Sequence, residues 1–341
     1  MIRISYILPC YNIERYILDC LNSIYHQVLK EEEFEVICVN DCSPDKTRDI
    51  IVEFQKNHSN LILIDHEKNK RVGAARNTGF YVAKGEYVWF IDPDDIIHQY
   101  AAKDLLPLLD DHQLDFVQFG HTWMTEDKAL IKNPPFDLNC PFNTDVISGI
   151  DFLHEYQKRN LLYADMHSGP FVRIYRRSFL VNNNILYPEV AYYEDQYHAL
   201  HGLIAAKRII IVGKSYYLYR VVDSSYSHVP MSVQKRASQV NMCMGMIRLM
   251  QQYEITQKDI EYVAVRYDQD LKYFNTHFVL LMPDHERKLF LDLIKDDLPQ
   301  LRERIPKVGW LMANYPNIFN SIACLIAPSI RAIKRYVRRQ S

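Results

Sequence analysis

The 341-residue sequence lacks the short motifs that several large enzyme classes require. It contains no P-loop, no GxGxxG, no GxSxG and no HExxH, although it has 13 histidines. These motifs supply the phosphate cradle, the dinucleotide-binding turn, the nucleophilic serine and the zinc ligands of their classes. Their absence removes most of the support for an NTPase, a dinucleotide-dependent enzyme, a serine hydrolase or a zinc protease.

Cysteine is present without any pairing pattern. The cysteines are odd in number and scattered, and no CxxC occurs. They are Cys10, Cys20, Cys38, Cys42, Cys140, Cys243 and Cys324. We interpret them as reduced and mostly buried, which favours a reducing, cytoplasmic compartment.

Long apolar runs and an excess of one charge are also missing. No run of about 18 apolar residues occurs, so we predict no transmembrane helix. Pro9 cuts the apolar N-terminus too short for a signal peptide. The formal net charge is −2, whereas proteins that bind nucleic acids are usually strongly basic, so we expect no nucleic-acid partner.

The first 120 residues alternate between strand and helix patterns. Short apolar runs predict strands at residues 2–8, 34–39, 61–64 and 87–91. Helical spacing predicts helices between them. This alternation predicts a parallel sheet, and in such sheets ligands bind beyond the carboxyl ends of the strands. The polar clusters that follow the first, second and fourth strands should therefore meet at one edge.

Beyond residue 120 the pattern changes. Residues 121–147 contain several prolines and asparagines and few periodic apolar residues, which predicts a long loop or small subdomain over the site. Residues 209–212 have a further strand pattern. After residue 232 the sequence turns helical, with an amphipathic stripe over residues 260–278.

The sharpest local feature is a turn with three carboxylates, residues 92–95, which we name the aspartate turn. Asp92, Asp94 and Asp95 repel one another, so a cation or hydrogen-bond donors must offset their charge. Carboxylate oxygens are preferred ligands of Mg²⁺ and Mn²⁺, which also bind substrate diphosphates. The alternative is that Asp94 or Asp95 caps the helix predicted at residues 101–109.

Three other side chains have both a binding and a structural interpretation. Asp41 follows the second strand, where it either caps a neighbouring helix or accepts a hydrogen bond from a uracil-type base. Tyr11 follows the first strand and either stacks on a base or lies in the core. Arg76 either reaches a phosphate or forms a surface salt bridge.

An acidic pair, Glu194 and Asp195, lies among Tyr192, Tyr193 and Tyr197 far downstream of the aspartate turn. Transfer to a hydroxyl needs a base that removes its proton. An aromatic setting can raise the pKa of a carboxyl toward that task. The alternative is an ordinary solvated acidic pair.

Taken in order, these segments resemble family 2 glycosyltransferases of the GT-A fold. The matching segments are residues 7–12, 39–45, 69–79, 85–95, 175–180, 193–195 and 217–220. The resemblance is closest over residues 1–120, weakens to about residue 225 and is absent beyond. It departs from the family pattern at Asn40, where the family has an aspartate, and at Arg71, where it has a glycine.

The resemblance implies an α/β GT-A fold, with a Rossmann-like, mostly parallel sheet flanked by helices. Residues 1–120 would form the half that binds the nucleotide sugar. Residues 121–232 would form the half of the same domain that binds the acceptor and supplies the catalytic base. Beyond the reach of the resemblance, the helical pattern after residue 232 predicts that residues 233–341 form a helical C-terminal extension.

The resemblance also implies roles for individual residues. The donor-binding residues would be Pro9, Tyr11, Glu14, Asp41, Arg76 and Asp92. Asp94 would be the main ligand of a Mn²⁺ or Mg²⁺ cofactor, with Asp92 near the metal or the ribose. Asp195 would be the base in a single inverting displacement.

The implied reaction moves a sugar from a nucleotide-diphosphate donor, expected to be UDP-linked, to a hydroxyl of a glycan or lipid-linked acceptor in cell-surface polysaccharide biosynthesis. One alternative is a nucleotidyltransferase that makes sugar nucleotides. It is disfavoured because no glycine-rich, basic loop follows the first strand. The other alternative is a non-catalytic sugar-nucleotide or glycan-binding module, against which Asp94 and Asp195 argue.

The C-terminal segment combines regularly spaced isoleucines with a basic end. The basic residues include Lys334, Arg335, Arg338 and Arg339. A basic amphipathic segment can lie on an anionic membrane surface, or it can pack on the protein's own core. The first option predicts a cytoplasmic protein held peripherally on the inner face of the cytoplasmic membrane.

Overall fold

The computed structural model describes residues 1–131, 145–158, 169–190, 192–222, 232–255, 289–290 and 292–296. The chain divides into two compact units, Met1–Val229 and Pro230–Ser341. The amphipathic stripe predicted at residues 260–278 and the basic C-terminal segment lie outside the described residues. Among the helices that are described, none is long and apolar enough to span a membrane.

The described strands and helices follow the predicted alternation in the first part of the chain. The strands are β1 (Ile4–Cys10), β2 (Phe34–Asn40), β3 (Leu61–Asp65), β4 (Tyr87–Phe90), β5 (Ile96–Ile97), β6 (Phe116–Met124), β7 (Arg173–Arg176) and β8 (Ile209–Arg220). The helices are α1 (Ile17–Tyr25), α2 (Thr47–Gln55), α3 (Arg71–Val82), α4 (Ala101–Asp111), α5 (Gly149–Lys158), α6 (Arg177–Asn182), α7 (Glu194–Ala205) and, in the second unit, α8 (Val233–Gln252).

The eight strands form one mixed sheet in the order β3-β2-β1-β4-β7-β6-β8-β5. β1 to β4 pair in parallel, with Ile4 opposite both Phe34 and Tyr87. β7 pairs antiparallel with β4 and with β6, and it thereby joins the parallel block to the β6–β8 pair. The α/β architecture expected of a GT-A fold is confirmed.

The prediction of a loop or small subdomain over residues 121–147 is wrong for its first part, because residues 121–124 continue β6. The strand pairs with β8 as far as Met124 opposite Arg220, across register shifts on either side of Gly120. The pairing therefore comes from a partner strand distant in sequence, and the local residues give little sign of it. Residues 132–144 of the same stretch lie outside the described residues.

β1 is buried along its whole length, as a central strand covered on both faces must be. Tyr6 and Leu8 belong to the same core cluster as Ile17 and Leu21 of α1. Ile7 points the other way, where a Cβ added to Gly79 of α3 would lie 2.5 Å from its Cγ2. Helices on both faces thus hold the strand, and each large apolar side chain so buried contributes about 1.5–3 kcal/mol.

Candidate active site

The candidate site lies at the carboxyl edge of the parallel strands. β1 ends at Cys10 and β2 at Asn40, and the Asp41 N–H donates to the Cys10 carbonyl at 2.8 Å. β4 ends at Phe90, and the aspartate turn follows it by one residue. The polar segments after β1, β2 and β4 therefore meet at one edge of the sheet, where α/β proteins bind ligands.

Asp95 has the buried carboxylate of the aspartate turn. Its carboxylate lies 2.7 Å from the Tyr217 hydroxyl and accepts the Arg220 N–H at 2.7 Å. Burial, followed by the charge of Asp94, raises the pKa of Asp95 well above its ordinary value. The alternative that Asp94 or Asp95 caps the following helix is wrong, because α4 begins after Tyr100 and no side chain caps it.

Asp94 differs from its neighbours because no hydrogen bond or ion pair from another described residue reaches its carboxylate. The side chain is only partly exposed. Burial and then the charge of Asp92 raise the pKa of Asp94 to about 6. A carboxylate that is costly to ionise and that no other described residue contacts through a hydrogen bond or ion pair suits a ligand that brings positive charge.

A divalent metal at this turn would need more ligands than the described residues bring together there. In the part of the chain that the structure describes, no three His, Cys, Asp or Glu side chains form a ready-made metal site. Asp92 and Asp94 can supply two carboxylates, although one Asp92 oxygen already accepts a hydrogen bond from Arg76. Mg²⁺ commonly binds through one or two carboxylates with water and substrate phosphates completing the shell, so the residues present fit such a metal.

Arg76 is buried and joins the aspartate turn to α7. Its Nη2 donates to Asp92 Oδ1 at 2.7 Å and its Nη1 to Glu194 Oε1 at 2.9 Å. The guanidinium also lies 5.0 Å from the centre of the Tyr187 ring. Burial alone would lower the pKa of Arg76, but the charges of Asp92 and Glu194 raise it above its ordinary value. The alternative that Arg76 forms a surface salt bridge is therefore wrong, because its ion pairs are buried.

The same face of α3 holds the segment that leads into α7. Asn77 exchanges two hydrogen bonds with the Tyr187 backbone, at 2.8 and 3.0 Å. A Cβ added to Gly73 would lie 3.2 Å from Glu194 Cγ and 3.2 Å from the Pro188 carbonyl. Gly73 thus allows a close approach, and α3 fixes the start of α7 relative to the sheet.

Glu194 and Asp195 have different environments although they are adjacent. Glu194 is buried in the ion pair with Arg76, so the alternative of a solvated acidic pair is wrong for it. Asp195 is partly exposed and accepts the Gln196 N–H at 2.8 Å. Burial, followed by the charge of Glu194, raises the pKa of Asp195 to about 7. At neutral pH this carboxyl can therefore both hold and release a proton.

Asp41 holds the start of α3. One carboxylate oxygen accepts the Lys70 N–H and the other the Arg71 N–H, both at 2.8 Å. His66 Nδ1 lies 2.6 Å from Asp41, and its Nε2 lies 2.9 Å from the Thr78 hydroxyl. Asp41 therefore caps a helix, but the helix is α3 rather than the neighbouring α2.

The start of α2 is held by other acids, one of which is a donor-site candidate. Glu14 accepts the Lys46 N–H at 2.8 Å, and Asp45 accepts the Thr47 N–H at 3.1 Å. Asp45 also accepts the Glu14 N–H at 2.9 Å, so the loop after β1 and the loop after β2 are bonded together. Glu14 therefore orders the edge of the site from the protein side.

The two candidates at the end of β1 lie in opposite environments. Pro9 is buried within the strand, opposite Val39 of β2. Tyr11 is 48% exposed just beyond the strand, so the alternative that placed it in the core is wrong. An exposed ring at the carboxyl edge is available for stacking on a planar ligand.

The two departures from the family pattern have local explanations. Asn40 bonds the Asp65 carboxylate at 2.7 Å and accepts the Ser43 N–H at 3.2 Å, so it bridges β2, β3 and the following loop. Arg71 has a φ of 75°, in the left-handed region where glycine is favoured, and its side chain is exposed. The family's glycine thus matches a backbone conformation that this chain adopts with an arginine.

Sequence reasoning missed two residues on β8 that contact the aspartate turn. Tyr217 and Arg220 are both buried, and both bond to Asp95. The available signal was the resemblance of residues 217–220 to a family segment, which assigned no role to either side chain. Their contacts depend on the pairing of distant strands.

A parallel sheet block with an acidic turn at its carboxyl edge, joined through Arg76 to an acidic pair at the start of α7, is the arrangement expected of a GT-A glycosyltransferase. The sequence matches the family model described as glycosyl transferase family 2 over residues 5–181, which is more than half of the chain. The chain belongs to this family.

Curated relatives are glycosyltransferases of bacilli and other bacteria. The chain is 28% identical over 228 residues to the uncharacterised glycosyltransferase EpsJ of Bacillus subtilis, covering 67% of this chain and 63% of EpsJ. It is 30% identical over 226 residues to the poly(ribitol-phosphate) beta-glucosyltransferase of Bacillus spizizenii, covering 64% of this chain and 32% of the relative. The match thus spans less than two thirds of either relative's length.

Solved structures share the fold. Staphylococcus aureus TarS 1–349 in complex with UDP-GlcNAc superposes with a TM-score of 0.66 at 22% identity, covering 94% of this chain and 89% of that one. The mannosyltransferase PcManGT of Pyrobaculum calidifontis, in complex with GDP-Man and Mn²⁺, gives a TM-score of 0.53 at 16% identity, covering 95% and 86%. At these identities the likeness concerns the fold alone.

Proposed function

We propose that this chain transfers a sugar from a nucleotide-diphosphate donor, with UDP as the nucleotide, to a hydroxyl of a glycan or lipid-linked acceptor in cell-surface polysaccharide synthesis. One observation carries the proposal. Arg76 links Asp92 of the aspartate turn to Glu194, the residue next to Asp195, through two buried hydrogen bonds. A candidate metal-binding turn and a candidate base are thereby held in one assembly.

The donor half of the site is proposed to use the edge of β1 and β2. The exposed ring of Tyr11 stacks on the base, and Pro9 shapes the pocket behind it. Asp41 accepts a hydrogen bond from the base N–H, while it also holds the start of α3. Glu14 orders the neighbouring loop.

Arg76 is proposed to serve the donor site through Asp92. Its guanidinium already donates to two carboxylates, which leaves little capacity for a phosphate. By fixing one Asp92 oxygen it leaves the other for a ribose hydroxyl or a metal. This refines the donor-binding role expected from the sequence.

Asp94, with Asp92 beside it, is proposed to hold Mn²⁺ or Mg²⁺. When bound, such a metal supplies positive charge that stabilises the departing diphosphate. The Mn²⁺ complex of PcManGT is a property of that protein and supports the proposal by fold analogy. The local observation that favours it is the Asp94 carboxylate, which no other residue in the described part of the chain pairs with.

Asp195 is proposed to act as the general base in a single inverting displacement. Its carboxylate takes the proton of the acceptor hydroxyl as that oxygen bonds to the anomeric carbon of the donor sugar. The bond between the anomeric carbon and the diphosphate oxygen breaks, and its electron pair leaves with the nucleotide diphosphate. No covalent sugar–enzyme intermediate forms.

The acceptor and the cellular location are the least constrained parts of the proposal. The poly(ribitol-phosphate) substrate belongs, by name, to the Bacillus spizizenii relative, and it is a suitable first acceptor to test. Peripheral contact with the inner face of the cytoplasmic membrane through the basic C-terminal segment stays a prediction. No part of the reaction requires it.

The deciding experiment measures the melting temperature of the full chain with a panel of nucleotides and nucleotide sugars, each with and without Mn²⁺. A ligand that binds only the folded protein raises the melting temperature. A rise with UDP or a UDP-sugar that depends on Mn²⁺ supports the donor site. The donor so selected then enters a UDP-release assay with glycan and poly(ribitol-phosphate) acceptors.

Other outcomes lead elsewhere. Donor binding without turnover of any acceptor would favour a non-catalytic sugar-nucleotide-binding module. Release of pyrophosphate from a sugar phosphate and a nucleoside triphosphate would favour a nucleotidyltransferase. A folded protein that responds to no nucleotide would contradict the proposal.

A further inference from the structure

Arg220, the last residue of β8, is buried, and its side chain contacts residues of three neighbouring segments. Its Nε donates to the Asp94 carbonyl and its Nη1 to the Glu126 carbonyl, each at 2.7 Å. Its Nη2 pairs with Asp19 of α1 at 3.2 Å. The guanidinium carbon lies 4.9 Å from the centre of the Tyr16 ring.

The backbone of Arg220 contacts the same turn. Its N–H donates to Asp95 Oδ1 at 2.7 Å, and the other Asp95 oxygen lies 2.7 Å from the Tyr217 hydroxyl. That hydroxyl also accepts the Asp92 N–H at 3.2 Å. The end of β8 therefore holds the aspartate turn at Asp92, Asp94 and Asp95.

These contacts reach the main chain of Asp94 and leave its carboxylate untouched. A bond at the carbonyl restricts the rotation of the turn about that residue, and the side chain keeps both oxygens for a ligand. An arginine at this place orients a metal ligand without competing for the metal.

We propose that Arg220 is a positioning residue that presents the Asp94 carboxylate to the metal and the donor diphosphate. The proposal rests on the proposed function, because it assumes that Asp94 binds a metal with UDP. Arg220 itself touches neither the donor nor the acceptor. It acts through the main chain of the aspartate turn.

Arg220 also ties the turn to the segment that follows β6. The Glu126 carbonyl accepts from Arg220, and Lys128 bonds Asp19 at 2.7 Å, so Asp19 receives a cation from each side. The aspartate turn, α1 and the loop after β6 thus meet at one guanidinium. Lysine cannot replace it fully. The three contacts use three separate nitrogens of a planar guanidinium, whereas an ammonium has a single nitrogen.

The test measures the dissociation constant of Mn²⁺ in the presence of UDP, by titration calorimetry on the full chain, for the wild type and for Arg220→Met. Far-UV circular dichroism and a melting curve establish that both are folded at the titration temperature. We expect Arg220→Met to weaken Mn²⁺ binding by about tenfold to hundredfold, the range for losing a hydrogen bond from a charged group. Arg220→Lys should fall between the two.

The matched control is Arg15→Met. Arg15 also lies over the Tyr16 ring, at 5.6 Å, and pairs with the Glu126 side chain at the surface, but it does not contact the aspartate turn. It should leave the Mn²⁺ dissociation constant unchanged. Asp19→Asn, which removes the ion pair of Arg220 but not its bond to Asp94, should change it less than threefold, the scale of a partly exposed pair.

Equal Mn²⁺ binding by folded Arg220→Met and wild type would overturn the proposal. So would a loss in Asp19→Asn as large as that in Arg220→Met, because the effect would then come from the general charge balance. If Arg220→Met does not fold, Arg220→Lys decides, and wild-type affinity in that variant overturns the proposal. If the wild type itself shows no Mn²⁺-dependent UDP binding, the proposed function fails first, and the two failures are distinguishable.

Discussion

Arg76 and Glu194 form a buried ion pair, with 2.9 Å between Nη1 and Oε1, that joins α3 to the first residue of α7. The same guanidinium bonds Asp92 at 2.7 Å. The pair spans 118 residues of sequence and connects the two halves of the proposed reaction. Removing one partner of such a pair leaves an uncompensated buried charge, which is strongly destabilising.

We therefore expect Arg76→Met to lower the free energy of unfolding by about 3–5 kcal/mol, because Asp92 and Glu194 lose their common cation. The control is Arg48→Met, which removes an exposed arginine paired with Asp65 at 2.9 Å and should cost about 0–1 kcal/mol. Urea unfolding of both variants measures the difference. Equal losses would show that the buried pair contributes no more than a surface pair.

Asp195→Asn should abolish most transfer while leaving donor binding intact. The amide keeps the shape of the side chain but cannot take the acceptor proton, and loss of a general base lowers rates by about 10²–10⁴-fold. UDP-release kinetics and a Mn²⁺–UDP titration on the same preparation separate the two effects. Near-normal turnover in this variant, or in Asp195→Ala, would mean that the base is another residue.

The pH profile of kcat/KM gives an independent check on Asp195. The base works only as a carboxylate, and burial together with Glu194 raises its pKa to about 7. The rate should therefore fall about tenfold per unit as pH decreases below about 7 and level off above it. The profile is measured at saturating Mn²⁺, and a flat profile through neutral pH would argue against this assignment.

Asp94→Asn should remove the Mn²⁺-dependent part of UDP binding. Without metal, the same variant should be more stable than the wild type, because Asp94 is partly buried, has no hydrogen-bond or ion-pair partner among the other described residues and is repelled by Asp92. Melting curves with and without Mn²⁺ and UDP test both statements. Retained metal-dependent stabilisation by UDP would contradict the role of Asp94 as the main ligand.

The left-handed backbone at Arg71 predicts a difference between two variants that lose the same charge. Arg71→Gly should be more stable than Arg71→Ala by about 1 kcal/mol, because a φ of 75° is strained for any residue with a Cβ. Any change in donor affinity that the two variants share reports on the guanidinium alone. Equal stabilities would indicate that the backbone relaxes at this position.

The parallel half of the fold and its polar edge were determined by local sequence. Short apolar runs define β1 to β4, and the polar residues directly after three of them had to meet at the carboxyl edge. A strand that is covered on both faces is apolar along its length, so such strands can be located from the sequence. The fold class and family membership could therefore be inferred before any contact was known.

The middle of the sheet could not be inferred in this way. β6 and β7 lie between the parallel block and β8, and they pair with strands that come from distant parts of the chain. Their sequences mix polar and apolar residues, with Gln118 and Arg173 bonded to each other inside the protein. A local sequence pattern cannot predict that a polar residue is buried when its hydrogen-bond partner is distant in sequence.

The sequence by itself determined which residue types line the site: acids in the aspartate turn, an acidic pair at the start of α7, and an arginine on α3. Only the tertiary structure decided which of these carboxylates have a charged or hydrogen-bonding partner. Arg76 pairs with Asp92 and Glu194, and β8 bonds Asp95, whereas no ion pair from another described residue reaches Asp94 or Asp195. The reason is physical, because each carboxylate's charge is set by the donors that long-range packing brings to it.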